Sequence, residues 1–124
     1  MGEACPSCRS GDAEHDAATW RQERNCIDES HLGVNLVRCP ACGGRALRIF
    51  TEVIDWSDGD DSQATLLVPL PTGDPGTLSD EARVAALLTR LPEGKHLARI
   101  YPKGLTTPPT WIWRPGRAHI LPHD

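Results

Sequence analysis

The sequence predicts an α+β domain, in which a cysteine-bearing N-terminal part continues into a small antiparallel β-sheet with one packed helix. Three observations support this class. Two C-P-x-C pairs stand near the N-terminus, 30 residues apart. Several segments alternate apolar and polar residues, as strands with one buried face do. A single segment, about 78–91, repeats apolar residues at helical spacing.

Strands are predicted where alternation coincides with β-branched residues. We expect them at 18–27, 31–38, 45–56, 63–70, 97–101 and 111–113. The two central segments flank Asp58-Gly59, which is a strong hairpin signal. Residues 10–17 are small and polar and predict a loop.

The helix is predicted from one apolar stripe and its end signals. The stripe consists of Val84, Leu87, Leu88 and Leu91. Thr77 or Ser79 is expected to cap the N-terminus, and Pro92 ends the helix because proline cannot continue it.

A chain of 124 residues fits one domain. We divide it into a cysteine-bearing part, 1–44, and a sheet-plus-helix part, 45–124. Eleven prolines and eleven glycines predict short elements with many turns, and they disfavour a helical bundle.

The net charge of −4 is unevenly distributed along the chain. Residues 1–50 carry a charge of −1, residues 51–82 carry −8 with no basic residue, and residues 83–124 carry +5. The sequence therefore has an acidic middle and a basic end, either of which can serve as a binding surface.

The two thiol pairs are Cys5 with Cys8 and Cys39 with Cys42. A short C-x-x-C turn aims two sulfur atoms at one point, and a second such turn completes a tetrahedron around zinc. The intervening segment exceeds the usual spacing, but closure entropy rises only slowly with loop length. We predict one Zn²⁺ bound by these four residues.

Other uses of the thiols are weighed against this site. A redox C-P-x-C motif is followed by a helix, whereas Gly43-Gly44 follows the second pair. Disulfides are rare in the reducing cytoplasm, which is the expected compartment because no apolar span or signal peptide is recognised. A ligand set that uses Cys26, His15 or His31 remains an alternative.

The pattern resembles the zinc-ribbon class, whose knuckles typically read C-P-x-C-G. Residues 39–43 match that motif in full, and residues 5–8 match its cysteines and proline, while Arg9 replaces the preferred glycine. The resemblance covers residues 5–43 and implies a metal-stabilised fold element. Zinc ribbons serve many unrelated functions, so it implies little about activity.

A site of four thiolates leaves no open position for water, so the predicted zinc is structural rather than catalytic. The sequence also lacks a recognisable nucleophile motif, metalloprotease motif or phosphate loop. We therefore expect a protein that is not an enzyme.

The first candidate interaction surface is the acidic turn predicted between the two central strands. Its carboxylates are Asp55, Asp58, Asp60 and Asp61. Such a patch can dock a basic protein partner. The alternatives are a solvated turn and a calcium site, although the register of an EF-hand loop is missing.

The second candidate surface is the basic C-terminal segment. Its residues are Arg99, Lys103, Trp111, Trp113, Arg114 and Arg117. Bases interleaved with aromatic residues suit single-stranded nucleic acid, although the tryptophans can equally pack into the core.

Two functions follow as hypotheses. The first is a non-catalytic module that binds a partner protein, in the manner of an inhibitor, immunity protein or adaptor. The alternative is a nucleic-acid-binding protein that uses the basic segment, against which the acidic pI of about 5.7 counts.

Overall fold

The computed structural model of the chain describes residues 5–53, 62–71, 74–92, 94–102 and 104–123. Within these ranges it contains two helices and six strands. In chain order they are α1 (Ala13–Ala18), β1 (Arg21–Asp28), β2 (Leu32–Arg38), β3 (Arg45–Val53), β4 (Ser62–Pro69), α2 (Glu81–Arg90), β5 (Lys95–Tyr101) and β6 (Ile112–Pro115). No helix among the described residues is long and apolar enough to cross a membrane.

The strands form one antiparallel sheet whose spatial order follows the chain from β1 to β6. Register is fixed by alternation, because a shift of one residue would turn every side chain to the other face. Leu36 lies opposite Leu47, which lies opposite Val68, and all three point to one face. The next residue, Val37, pairs with Ala46 on the other face.

Helix α2 covers the first face, which we call the helix face. Its buried residues Val84, Leu87 and Leu88 join one apolar cluster with sheet residues of β1 to β5. The sheet side of this cluster includes the fully buried Leu32 and Leu36. A helix of this length is marginally stable alone, so the packing of its apolar stripe against the sheet contributes most of its stability.

The opposite face is covered in part by residues 5–20 and the turn 39–44, which together we call the clasp, and we call this side of the sheet the clasp face. Cys8 and Cys39 form a second cluster with the sheet residues Val37, Leu67 and Leu97. Partly buried Ala13 and Ala17 of α1 pack against this cluster. An antiparallel sheet with helices on its faces is the arrangement of the α+β class.

Three predictions need correction. Residues 13–18 form α1 rather than a loop, since Asp12 caps an Ala-rich segment and accepts a hydrogen bond from the His15 amide at 3.3 Å. The described residues therefore contain two helices, whereas the sequence predicted one. The cap of α2 is Asp80, rather than Thr77 or Ser79, and its carboxylate accepts the Arg83 amide at 2.9 Å.

The central hairpin falls partly outside the described residues. Strands β3 and β4 pair from Ala46 with Pro69 to Val53 with Ser62. The predicted Asp58-Gly59 turn and the strand residues after Val53 lie outside the described ranges.

Candidate metal centre

The four predicted cysteines lie together in space. One sulfur atom from each, at Cys5, Cys8, Cys39 and Cys42, falls within 4.8 Å of every other. Two of the sulfur–sulfur distances join the first thiol pair to the second. They are 4.0 Å from Cys5 to Cys39 and 3.9 Å from Cys8 to Cys42. All are free thiols, so no disulfide competes for them.

These distances fit a tetrahedral metal site. With zinc–sulfur bonds of about 2.3 Å, tetrahedral geometry places neighbouring sulfur atoms roughly 3.8 Å apart. The two separations of 4.0 and 3.9 Å are close to that value and about twice the length of a disulfide bond. The four thiols can therefore hold a single metal ion with little rearrangement.

The second thiol pair occupies the turn between β2 and β3, residues 39–44, which we call the second knuckle. Cys39 donates its amide to the Gly44 carbonyl and accepts the Gly43 amide at its own carbonyl, both at 2.8 Å. Gly43 has φ of +76°, a conformation that L side chains rarely adopt. The Gly44 amide, 3.4 Å from the Cys42 sulfur, then points at a ligand atom.

The first thiol pair, residues 5–9, forms the first knuckle. The Arg9 amide donates to the Cys5 carbonyl at 2.7 Å, which closes the turn. Arg9 is not in the left-handed region, since no described residue other than glycine has positive φ. The arginine found where glycine is preferred is therefore compatible with the closed turn.

The thiols of the first knuckle differ in their electrostatics. Backbone amides of Cys8 and Ser7 donate to the Cys5 sulfur and lower its pKa to about 7. Burial raises the pKa of the Cys8 thiol, and its hydrogen bonds to neighbouring thiols raise it further. Four thiolates this close would repel one another, so a bound cation would favour their joint ionisation.

A buried carboxylate, which the sequence did not single out, holds the first knuckle in place. Asp16 of α1 is 0% exposed. It accepts hydrogen bonds from the Ser10 amide at 2.8 Å, the Ser10 hydroxyl at 2.6 Å and the Gly11 amide at 3.1 Å. It also accepts one from the Trp113 indole at 2.9 Å. Asp16 thus ties the loop after the first knuckle to β6.

This network lowers the pKa of Asp16, although its burial alone would raise it. The hydrogen bonds from Ser10, Trp113 and Gly11 favour the charged carboxylate more than its removal from water disfavours it, so Asp16 stays ionised. No sequence pattern could reveal the contact with Trp113, because it joins residues 97 positions apart.

The alternative metal ligands lie elsewhere. Cys26 is in β1 and packs against the cluster on the helix face. His15 and His31 do not belong to the sulfur cluster, and His31 instead approaches Glu52 at 3.5 Å. Within the described residues, the candidate ligand set is the four cysteines alone.

Three residues of the basic C-terminal segment face inward. Trp111 and Trp113 both pack against the cluster on the clasp face, and the Trp113 indole also donates a hydrogen bond to Asp16. Arg117 donates from Nη1 to the Leu88, Thr89 and Leu91 carbonyls, so it satisfies the C-terminal end of α2.

Arg99 and Arg114 of that segment are more accessible. Arg99 is exposed and places its guanidinium carbon 5.0 Å from the ring centroid of half-buried Trp111. Arg114 is exposed. Lys103 lies outside the described residues, as do Asp55, Asp58, Asp60 and Asp61.

Part of the clasp face lies outside its buried cluster of described residues and carries aromatic and basic side chains, which are half-buried except for the exposed Arg99. We call it the open half-face, made up of Arg48, Phe50, Thr65, Arg99 and Tyr101. Phe50 pairs with Thr65, which pairs with Arg99, so these three form one row across β3, β4 and β5. Phe50 and Tyr101 are the chain's one Phe and one Tyr, and both lie outside the buried core.

Comparison with known proteins adds no relative. No protein-family model, no curated protein and no solved structure matches the chain. The function must therefore be inferred from the residues and their geometry.

Proposed function

We propose that Cys5, Cys8, Cys39 and Cys42 bind one structural Zn²⁺ and that residues 5–44 are a zinc-ribbon-like element. The observation that carries this proposal is the mutual approach of the four sulfur atoms within 4.8 Å. Soft thiolate ligands in tetrahedral geometry favour zinc over the hard cations magnesium and calcium. Four thiolates also fill the coordination sphere, so the metal supplies a cross-link and no reactive water.

Metal analysis of the purified full chain tests this proposal. We expect about one zinc per chain, and loss of that zinc when Cys39 or Cys42 is replaced by serine. Cys26→Ser is the matched control, because Cys26 is a thiol outside the cluster. Wild-type protein that contains no zinc after expression with zinc, or a Cys26→Ser variant that loses it, would contradict the proposal.

The scaffold held by this zinc is proposed to be a non-catalytic module that binds a partner protein, of the inhibitor, immunity or adaptor type. Two surfaces support this. The open half-face offers Phe50, Tyr101 and Arg99, and aromatic residues and arginine dominate protein interfaces. The acidic segment 51–82 carries a charge of −8, which suits a basic partner.

The described residues on either side of the acidic turn lie at the same end of the sheet as Tyr101 of the open half-face. Val53 and Ser62, which flank the acidic residues 54–61, pair at the end of β3 opposite the second knuckle. Tyr101 pairs with Gln63, one residue from Ser62. A single partner can therefore contact the open half-face and the chain segments that lead into the acidic turn.

A pull-down from native extract, run with and without nuclease, tests the partner class. We expect a stoichiometric basic protein that survives nuclease and is weakened when Asp58, Asp60 and Asp61 are replaced by asparagine. The control is Asp74→Asn with Glu81→Gln, which removes two exposed acids outside the acidic turn, one beside β1 and one on α2. Equal retention of the partner by both variants would show that the acidic turn is the wrong surface.

Single-stranded nucleic acid is the second candidate partner, and one observation favours it. Arg99 lies against the Trp111 ring and shares a cross-strand row with Phe50, and such ligands use this combination of cation and aromatic rings. Titration of a labelled oligonucleotide at several salt concentrations distinguishes the two. Binding that weakens steeply with salt, and that Arg99→Gln reduces while Arg83→Gln on α2 does not, would favour nucleic acid.

A further inference from the structure

A cavity of about 670 Å³ lies at the end of the sheet where β4 ends and β5 begins, between the clasp and the C-terminal end of α2. The knuckles, the end of α2, the ends of β4 and β5, and β6 all contribute to its walls. Arg9 and Gly44 belong to the knuckles. Leu88 belongs to α2, Leu91 is its C-cap, and Trp113 belongs to β6. This volume falls within the range of roughly 300–1,000 Å³ that is typical of small-molecule sites.

Among the described residues that line this cavity, the charged side chains are all cationic. Arg9, Lys95 and Arg117 line it, and no carboxylate is among its described lining residues. The side chains of Arg9 and Lys95 form no ion pair with any described acid. His96 also lines the cavity, but burial lowers its pKa, so it adds no charge at neutral pH.

Among these three cations, Arg117 is the one whose side chain is held by hydrogen bonds to the backbone. Its Nη1 donates to carbonyls at the end of α2, including Leu88 at 2.8 Å and Thr89 at 2.9 Å. Those bonds fix the plane of the guanidinium group and use only one of its nitrogen atoms. A fixed guanidinium recognises a carboxylate in two-point geometry and loses little side-chain entropy on binding.

The remaining lining is mainly apolar. Leu70, Leu88, Leu91 and Trp113 supply it together with prolines at the end of β4 and after α2. Such walls favour an apolar body and disfavour a doubly charged group, because a dianion costs more to remove from water than a monoanion.

We propose that this cavity binds a small organic carboxylate with an apolar, ring-sized body. The carboxylate lies among Arg9, Lys95 and Arg117, and the body lies against Trp113 and the leucines. The inference does not depend on the partner class proposed above. The proposed site does include residues of the clasp, because both knuckles contribute to its wall.

Binding is tested on the full-length, zinc-containing chain with 2-naphthoate as the probe and 2-naphthamide as its neutral analogue. Calorimetry should show one saturable site for the carboxylate, with the amide at least about tenfold weaker because it lacks the charge-assisted bonds. Acetate, which has no apolar body, should show no saturable binding. 2-Naphthyl phosphate should bind more weakly than 2-naphthoate because it is a dianion.

Variants and amide chemical-shift mapping locate the site. Arg9→Gln with Lys95→Gln should weaken 2-naphthoate about tenfold, whereas Arg114→Gln, an exposed base outside the lining, should leave its affinity unchanged. Shifts should concentrate at Gly94, Lys95 and Gly116 and spare Phe50 on the open half-face. Absence of saturable binding, equal affinity for the amide, tighter phosphate binding, or equal losses in both variants would overturn the proposal.

Discussion

The two faces of the sheet are stabilised by different means. On the helix face, 15 buried described residues form one cluster, nearly all of them leucine, isoleucine or valine. On the clasp face the corresponding cluster has seven buried members, two of which are cysteines. Apolar burial contributes about 25 cal/mol per Å², so the helix face has a far larger aliphatic contribution.

This difference indicates where the proposed zinc would contribute most to stability. The clasp face joins a short helix and two turns through one carboxylate, a tryptophan and four thiols. A helix of six residues is marginal without tertiary support. We therefore expect that the proposed zinc and the Asp16 network determine the order of the clasp face, while α2 and strands β2 to β4 rely on their own core.

Zinc removal should have the largest effect, since structural zinc contributes on the order of 10 kcal/mol at neutral pH. Amide hydrogen exchange after chelation should show loss of protection in residues 5–20 and in β6. Protection in β3 and α2 should be largely retained. Loss of protection to the same degree throughout would show that the two faces form one cooperative unit.

Two neighbouring residues of β2 sharpen the comparison, because Leu36 faces α2 and Val37 faces the clasp, and both are fully buried. Leu36→Ala should lower the free energy of unfolding by about 3 kcal/mol through lost burial and a cavity. Its zinc affinity should match that of wild type. Val37→Ala, measured by the same denaturant titration and zinc competition, should weaken zinc binding. Equal zinc affinities in the two variants would contradict the assignment of separate roles.

Asp16→Ala is expected to cost about 2 kcal/mol, because it leaves donors from Ser10 and Trp113 without their acceptor. The loss should appear in denaturant unfolding together with faster zinc release, since the loop after the first knuckle loses its anchor. Asp12→Ala, a cap variant of the same helix, is the control and should leave zinc release nearly unchanged. Equal release rates in the two variants would rule out the anchoring role.

The stability contributed by Asp16 should also depend on pH in a definite direction. Its pKa is lowered in the folded state, so its contribution is present above the usual value of 3.8 and is lost as pH falls through the folded pKa. The difference in unfolding free energy between wild type and Asp16→Asn should therefore shrink in acid. Zinc content is measured in each sample, so that loss of the clasp is recognised. If the difference in unfolding free energy grows in acid while zinc stays bound, the prediction is contradicted.

The sequence predicts local features of this fold and misses those that depend on distant contacts. The spacing of the cysteines predicts the grouping of all four, and Gly43 predicts the left-handed turn of the second knuckle. The loop predicted at residues 10–17 is wrong, because six residues are too few to show helical periodicity. The cavity and the Asp16 network unite parts of the chain far apart in sequence, which no local pattern reports.

The smallest expected effect concerns the start of α2. Asp80→Ala should cost about 1 kcal/mol, because the side chain that accepts the Arg83 amide is removed. Its ion pair with Arg83 adds little, since both side chains are more than half exposed and salt screens the pair. Ser79→Ala, one residue earlier, removes a hydroxyl outside the cap position and should be nearly neutral in the same denaturant titration. A larger loss of stability for Ser79→Ala than for Asp80→Ala would show that Ser79 is the N-cap, as the sequence predicted. Because α2 covers only the helix face, the Asp80→Ala loss should be the same with and without zinc.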